Sequence, residues 1–177
     1  MVFSELYSLK EIKKRYSDIE MTEKQRNAVK EWLVLLDNNQ LQKEEENYPN
    51  FMNIILRDLL SYPETEIQKG FEQNNVEFSF KDKDDKTVVV FEAKGTKTKD
   101  LFSKQDYGKK EQETPIIQTL TYMARIPARF GVTTNYKKFV LLDASEGDSK
   151  CHRFDFKDIE NNHDRLREFI GIFSYSK

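Results

Sequence analysis

Residues 87–95 read Thr-Val-Val-Val-Phe-Glu-Ala-Lys-Gly and predict the strand around which the chain folds. Positions 87–91 are all β-branched or aromatic, which favours a strand. A run that is apolar on both faces is typical of a central strand covered by helices on both sides. Side chains two apart on a strand share a face, so Glu92 and Lys94 point together while Ala93 points away. The strand therefore brings a carboxylate and an ammonium group to one place.

A Glu-x-Lys triplet is weak evidence by itself. Residues 11–13 form a second such triplet, on a predicted helix where no role is expected. Two charged residues that end an apolar strand are most often its solvated end. Further carboxylates near the same face are needed before the triplet indicates chemistry.

The preceding residues supply a second carboxylate through a predicted hairpin. Residues 76–80 alternate apolar and polar side chains, and residues 81–86 form a polar turn. If the turn has an even number of residues, Glu77 lies opposite Glu92 or Val90, on the face of Glu92 and Lys94. Two carboxylates beside a lysine suggest a Mg²⁺ site for phosphodiester hydrolysis, with Lys94 contacting the scissile phosphate or the attacking water. The alternative is a pair of solvent-exposed hairpin carboxylates.

The remaining pattern predicts an α/β protein. Ser8 and Thr22 have capping-box spacing to Glu11 and Gln25. Helices are predicted over residues 22–37, 51–62 and 115–123 and from about 164, and further strands over 129–133, 138–142 and 152–156. The lysine-rich residues 96–113 are predicted to form a short helix and a mobile loop. Helices followed by a hairpin, a helix and more strands indicate an α/β sandwich around a small mixed sheet.

Composition excludes several classes of protein. The 177 residues suffice for one domain, and 12% aromatic residues are too many for a disordered chain. No apolar stretch approaches the ~18 residues of a membrane helix, and no signal peptide is evident, so we expect a cytoplasmic location and no membrane partner. A single cysteine, Cys151, excludes a cysteine-rich zinc site, so any metal is expected to be held mainly by oxygen. Cys151 is predicted to be a packing residue, and His152 and His163 surface or strand-end residues.

Charge is unevenly distributed along the chain. The net charge is −2, whereas residues 94–138 carry ten cations and four anions, a local balance of +6. A cationic segment directly after the charged strand end would suit a phosphate backbone. The alternative is an ordinary solvated surface with uneven patches.

Gln118 and Tyr122 are four residues apart on the predicted helix that starts at Pro115, so they share one face. Their amide and phenol groups are suited to holding a phosphate or orienting Lys94. The same spacing is common in helices and usually carries no function.

Taken in order, these motifs resemble a known family. The series Val76-Glu77-Phe78, Phe91-Glu92-Ala93-Lys94-Gly95, Gln118-Thr-Leu-Thr-Tyr122 and Phe130-Gly131-Val132-Thr133-Thr134-Asn135 is similar to the PD-(D/E)XK nuclease superfamily. More narrowly, it resembles the N-terminal cleavage domain of type IIG restriction-modification enzymes, in which one polypeptide joins a nuclease to an adenine methyltransferase. The resemblance spans about residues 44–173. It implies a PD-(D/E)XK restriction-endonuclease-like core at 41–177, with a mixed central sheet flanked by helices, and an N-terminal helical extension at 1–40.

The resemblance also implies a set of functional residues. Glu77, Glu92 and Lys94 would be catalytic, with Glu77 and Glu92 as metal ligands. Glu44 fits best as a further metal ligand, and Glu45 and Glu46 are the alternatives. Gln118 and Tyr122 would support the site or bind phosphate. The DNA contacts would be five lysines: Lys97, Lys99, Lys104, Lys109 and Lys110.

The function implied is that of a Mg²⁺-dependent type II or IIG DNA endonuclease, a site-specific deoxyribonuclease-like hydrolase, with Mn²⁺ able to substitute. Double-stranded DNA is the expected partner, with methyltransferase and recognition regions in the same polypeptide and a transient dimer for double-strand cleavage. Two departures matter: Glu77 replaces the usual aspartate, and Asn135-Tyr136 replaces Asn-Gly, interpreted as a matter of turn geometry. Alternatives are a catalytically impaired nucleic-acid-binding or scaffold domain of the same fold, and a non-catalytic α/β interaction module.

Overall fold

The structure, a computed structural model, describes residues 2–63, 67–71, 76–107, 110–111, 113–147 and 149–175. For residues 67–71, 76–77, 106–107 and 110–111 it describes the backbone alone. The described chain forms, in order, β1 (Ser4–Glu5), α1 (Leu9–Tyr16), α2 (Glu23–Asp37), α3 (Tyr48–Asn50), β2 (Ile67–Phe71), β3 (Val76–Lys81), β4 (Thr87–Ala93), β5 (Asp106–Tyr107), β6 (Lys110–Glu111), α4 (Pro115–Arg125), β7 (Phe130–Thr134), β8 (Lys138–Asp143), β9 (Lys150–Asp155) and α5 (His163–Phe173). None of the described helices has the length and hydropathy required to span a membrane.

A seven-stranded sheet organises the molecule, in the order β1-β9-β8-β7-β4-β3-β2. The β4–β7 and β1–β9 pairs are parallel, and the other neighbours are antiparallel. Strands β5 and β6 form a separate two-stranded ladder. The predicted mixed sheet with flanking helices is thus confirmed.

Strand β4 is buried on both faces, as the apolar run at residues 88–91 predicts. Val89, Phe91 and Ala93 belong to the larger hydrophobic core, which includes residues of α2 and α5. Val90 points the other way, into a smaller cluster to which α4 contributes. Because side chains alternate along a strand, Glu92 shares the α4 side with Val90.

The N-terminal helices begin where their caps predict. Ser8 and Thr22 each form a complete capping box, with Glu11 and Gln25 respectively. Trp32 of α2 is fully buried in the larger core. The boundary at residue 40 stays a prediction, although α2 packs into the same core as the sheet.

The apolar series predicted as a helix over residues 51–62 is helical only as far as Leu59, since Ser61 has a φ of 60°, and its turns are wider than those of an α-helix. After a 3₁₀ turn (Glu45–Asn47) and α3, the chain continues as a π-helix, Phe51–Leu59. Its last turn is closed by the Leu60 N–H, which donates to the Ile55 carbonyl five residues earlier at 2.9 Å. A π-helical stretch adds residues per turn relative to an α-helix. Apolar periodicity alone does not reveal this widening.

The lysine-rich stretch differs from its prediction. Among its described residues there is no helix, and turns lead into β5 and β6. Its first part is tethered, because Thr96 N–H donates to Leu41 O at 2.9 Å and Leu101 O accepts from Ile116 N–H at 3.3 Å. The polar sequence offers no apolar stripe on which a helix could pack, while the buried side chain of Leu101 anchors the chain.

His152 also differs from its prediction as a surface or strand-end residue. It lies within β9 and is 4% exposed, with Nε2 3.0 Å from Oε1 of Glu168 on α5. The edge strand β1 and helix α5 bury it, and short edge strands carry too little pattern to be seen in sequence. Cys151 is buried in the smaller core, as predicted, and His163 is exposed at the start of α5.

Gly131 allows α4 to lie close to β7, and this contact is testable. A Cβ at Gly131 would lie 2.4 Å from Met123 Sδ and 2.7 Å from Thr119 Cγ2. We expect Gly131→Ala to lower the free energy of unfolding by ~1–3 kcal/mol through overpacking, measured by urea denaturation. Met123→Ala should cost less in the Gly131→Ala background than alone, because it then removes a clash. Strict additivity of the two substitutions would contradict this contact.

Candidate active site

The end of β4 places Glu92 and Lys94 side by side, as the strand alternation predicts. Lys94 Nζ lies 2.5 Å from Glu92 Oε1. The Glu92 side chain is 2% exposed, and that of Lys94 is 15% exposed. The backbone N–H of Lys94 donates to Thr134 O at 2.7 Å, which extends the parallel pairing of β4 with β7. The ion pair is therefore held by the centre of the sheet.

Glu44 is the member of the acidic run nearest to this pair. Its Oε2 lies 3.4 Å from Lys94 Nζ, and its Oε1 accepts a hydrogen bond from the Tyr48 hydroxyl at 3.0 Å. Glu45 is exposed, and Glu46 pairs with Lys43 at the surface. Lys94 thus lies between two carboxylates that come from different parts of the chain.

A close backbone approach at Gly95 brings Glu44 to the site. A Cβ at Gly95 would lie 1.9 Å from the carbonyl oxygen of Gln42. The Thr96 N–H donates to Leu41 O at 2.9 Å, so residues 41–44 cross the end of β4 in direct contact. Only glycine fits such an approach, which gives the last residue of the Glu-x-Lys-Gly motif a physical reason.

Helix α4 supplies Tyr122, whose hydroxyl hydrogen-bonds the Glu92 carboxylate and stabilises its charged form. Thr114 caps the start of α4, and the Thr119 and Thr133 hydroxyls, 2.5 Å apart, join the helix to β7. Gln118 lies one turn before Tyr122 and is half-buried, but its side chain makes no hydrogen bond to the part of the chain that the structure describes.

The environment of Glu92 disfavours its charge. Burial is the largest effect and raises the pKa of Glu92 to about 7, while Lys94 lowers it and the negative charge of Glu44 raises it. The second carboxylate oxygen, Oε2, is buried and has no hydrogen-bond partner among the described residues. A buried, unpaired carboxylate oxygen requires a ligand or carries a desolvation penalty.

These oxygens fit a hard divalent cation. Mg²⁺ is bound through one or two carboxylates together with water and substrate phosphate oxygens, and Glu92 Oε2 and the Glu44 carboxylate are donors of that class. Among the described residues no three Asp, Glu, His or Cys side chains lie together in an arrangement that could hold a metal ion. The side chain of Glu77 lies outside the described residues, so its role as a ligand stays a prediction.

The pairing of β3 with β4 indicates which residue of β4 lies opposite the backbone of Glu77. The loop between β3 and β4 has five residues rather than an even number, but a bulge between Phe80 and Lys81 shifts the register. Phe78 is consequently paired with Phe91, and the register extended by one pair places Glu77 opposite Glu92.

The predicted DNA contacts lie on the segment that follows Gly95. Lys97, Lys99 and Lys104 are exposed. The turn before β8 holds this segment, since Asn135 Nδ2 donates to Thr98 O at 2.7 Å and Lys138 Nζ to Lys99 O at 3.3 Å. Two further predicted contacts cannot be placed here: Lys109 lies outside the described residues, and of Lys110 only the backbone is described.

Two tyrosines near Glu44 were not predicted from the sequence. Tyr48 contacts the Glu44 carboxylate, and their spacing of four residues on a helical run is a signal that could have indicated it. Tyr136 donates a hydrogen bond to the Glu44 carbonyl from a position 92 residues away, for which the sequence offers no local signal.

The raised pKa of Glu92 predicts a pH-dependent stability in metal-free protein. Because the folded-state pKa of about 7 exceeds the ordinary 4.5, the stabilising contribution of Glu92 is fully present below about pH 4.5 and is lost as the pH rises through about 7. Glu92→Gln resembles the protonated acid, so we expect its stability relative to the wild type to rise between pH 5 and pH 8. The rise should be about 1–3 kcal/mol, since one pKa unit is ~1.4 kcal/mol.

Thermal unfolding in EDTA measures this difference. The matched control is Glu31→Gln at an exposed carboxylate of α2, whose difference from the wild type should change much less between pH 5 and pH 8 than that of Glu92→Gln. Parallel pH profiles for Glu92→Gln and the wild type would contradict the burial argument.

Comparison with known proteins identifies the family. No curated protein and no solved structure matches the chain. Residues 18–176 match a family model described as MmeI, N-terminal domain, which covers almost the whole chain. The chain therefore belongs to the MmeI N-terminal domain family, and MmeI is a type IIG restriction enzyme.

Proposed function

We propose that this domain is a Mg²⁺-dependent DNA endonuclease with a PD-(D/E)XK core. The observation that carries the proposal is the position of Lys94 between Glu92 and Glu44, at the end of a buried central strand. Membership of a restriction enzyme domain family supports DNA as the substrate class. The mixed sheet and the Glu-x-Lys-Gly strand end agree with the proposed fold.

Each residue has a separate role in this proposal. Glu92 and Glu44, with Glu77, hold Mg²⁺, for which Mn²⁺ can substitute. When bound, the metal supplies Lewis-acid stabilisation of the charge that develops on the phosphate oxygens. Lys94 donates a hydrogen bond to the attacking water or to the scissile phosphate. Tyr122 keeps the Glu92 carboxylate oriented, and Gln118 on the same helix face is available to a substrate phosphate.

Double-stranded DNA would lie along the segment after Gly95. Lys97, Lys99 and Lys104 are exposed directly beyond β4 and Lys94. Lys109 and Lys110 are proposed as further DNA contacts. Sequence recognition and methyl transfer belong to other regions of a type IIG polypeptide in this proposal. One site cuts one strand, so double-strand cleavage would require a transient second copy.

The second candidate is a DNA-binding or scaffold domain that has lost turnover. One observation favours it: the ammonium group of Lys94 is already compensated by two carboxylates, at 2.5 and 3.4 Å. Glu77 also favours this second candidate, because the PD-(D/E)XK nucleases that the motifs resemble usually have aspartate at this position. Such a domain would bind DNA without cutting it in either Mg²⁺ or Mn²⁺.

Substitution of Lys94 distinguishes the two candidates. We expect Lys94→Ala to reduce plasmid nicking in Mg²⁺ at least 100-fold, because the donor to the reacting phosphate is lost, while DNA retention in a gel-shift assay persists. Lys13→Ala is the matched control, since residues 11–13 form the same triplet on α1 and Lys13 is exposed. Cleavage that survives Lys94→Ala and is insensitive to EDTA would contradict the mechanism.

The cationic segment predicts a salt-dependent affinity. We expect replacement of Lys97, Lys99 and Lys104 by alanine to weaken DNA binding and to reduce the slope of log K against log salt by up to about 3, roughly one per lost phosphate contact. Fluorescence anisotropy with a labelled duplex measures this slope. Replacement of the exposed lysines Lys10, Lys14 and Lys30 of α1 and α2 is the control and should leave it unchanged. Equal effects of the two triple substitutions would place the DNA elsewhere.

A further inference from the structure

The turn between β7 and β8 contains a strained, buried tyrosine. Tyr136 has a φ of 71° and is fully buried. A bulky residue in the left-handed region is uncommon, and such strain persists only where the surrounding structure enforces it. The local turn explains part of the conformation, because Tyr136 N–H donates to the Thr134 hydroxyl at 2.9 Å. It does not explain why a large side chain occupies a position suited to glycine.

The Tyr136 hydroxyl has a specific target. It donates a hydrogen bond of 2.7 Å to the backbone carbonyl of Glu44. The same carbonyl accepts from the Asn47 N–H at 3.1 Å, so Glu44 O lies at the start of the 3₁₀ turn and is held from two directions. Through this bond the β7–β8 turn contacts the residue whose carboxylate faces Lys94.

Tyr136 is itself braced by the core. Trp32 Nε1 donates to the Tyr136 carbonyl at 2.8 Å, and the two rings pack edge to face at 5.8 Å between centroids. Phe51 packs against Tyr136 at 5.5 Å. Although Tyr136 lies in a turn, its side chain is therefore held in place by the core.

We infer that Tyr136 is a positioning residue for Glu44, which sets the distance between the Glu44 carboxylate and the Lys94–Glu92 pair. The inference rests on the proposed function insofar as Glu44 holds the metal. Gly95 permits the close approach of residues 41–44 to the end of β4. Tyr136 then fixes the position of the Glu44 backbone relative to that strand end. Two groups that share one cation must be held at a fixed separation. The Asn47 side chain also ties this segment, but to its own neighbours, since Nδ2 donates to Gln40 O at 3.1 Å and to Lys43 O at 2.7 Å. The Tyr136 hydroxyl instead joins Glu44 to the β7–β8 turn.

The test compares Tyr136→Phe with Tyr62→Phe. Each substitution removes one buried hydroxyl that donates to a backbone carbonyl, since the Tyr62 hydroxyl bonds to Phe173 O at 3.0 Å in the same core. A loss of general stability should therefore be similar in both. We expect only Tyr136→Phe to weaken Ca²⁺ binding, by about threefold to tenfold in calorimetry, the effect of one lost hydrogen bond. We also expect it to raise the Mg²⁺ concentration for half-maximal cleavage with the KM for DNA unchanged.

A double-substitution cycle makes the result specific to Glu44. In a Glu44→Gln background, Tyr136→Phe should have no further effect on Ca²⁺ affinity, because the carboxylate that it positions is gone. Equal Ca²⁺ affinities for the two tyrosine variants, or additive effects in the cycle, would overturn the inference.

Amide hydrogen exchange in metal-free protein separates this inference from the proposed function. Tyr136→Phe should speed exchange in residues 41–47 several-fold relative to Tyr62→Phe, whether or not the domain cuts DNA. A wild-type protein that binds no Ca²⁺ and cuts no DNA would contradict the proposed function, and slow exchange in 41–47 of Tyr136→Phe would overturn the positioning role.

Discussion

The contact between the Lys94 ammonium and the buried Glu92 carboxylate is the constraint on which the site depends. An isolated carboxylate at this depth would be neutral or would disrupt the core, and its pKa is already raised to about 7 in spite of Lys94. Buried ion pairs seldom add net stability, because desolvation offsets their attraction. One oxygen of Glu92 also lacks a hydrogen-bond partner among the described residues. The Lys94–Glu92 pair is therefore expected to add little to the stability of the fold. Its unpaired carboxylate oxygen is suited to a ligand that brings positive charge.

Two glycines let other parts of the chain reach this pair. Gly95 admits the backbone of Gln42, which brings Glu44 beside Lys94, and Gly131 admits α4, which brings Tyr122 to Glu92. At both positions glycine is required because a side chain would clash with the neighbouring segment. Neither glycine has a positive φ. The site is therefore assembled from three segments distant in sequence, and each approach is set by packing against the same two strands, β4 and β7.

Local chemistry explains which parts of the fold were predictable. The caps at Ser8, Thr22 and Thr114 and the apolar run at residues 88–91 act through neighbours in the chain. Each of these helices and strand β4 begins as predicted. The predictions fail where distant packing decides. His152 is buried because α5 and the two-residue strand β1 cover it, and the tethered lysine-rich segment depends on Leu41, Asn135 and Ile116.

For the site, the sequence by itself determined that Glu92 and Lys94 share a face, because the period of a strand is two residues, and that any metal donors would be oxygens. Tertiary structure decided that Glu44, rather than Glu45 or Glu46, faces Lys94, and that burial shifts the pKa of Glu92. It also decided the role of Tyr136, which meets Glu44 across 92 positions of the chain. The physical reason is that alternation is a property of the local backbone, whereas distances and desolvation arise only when remote segments pack together.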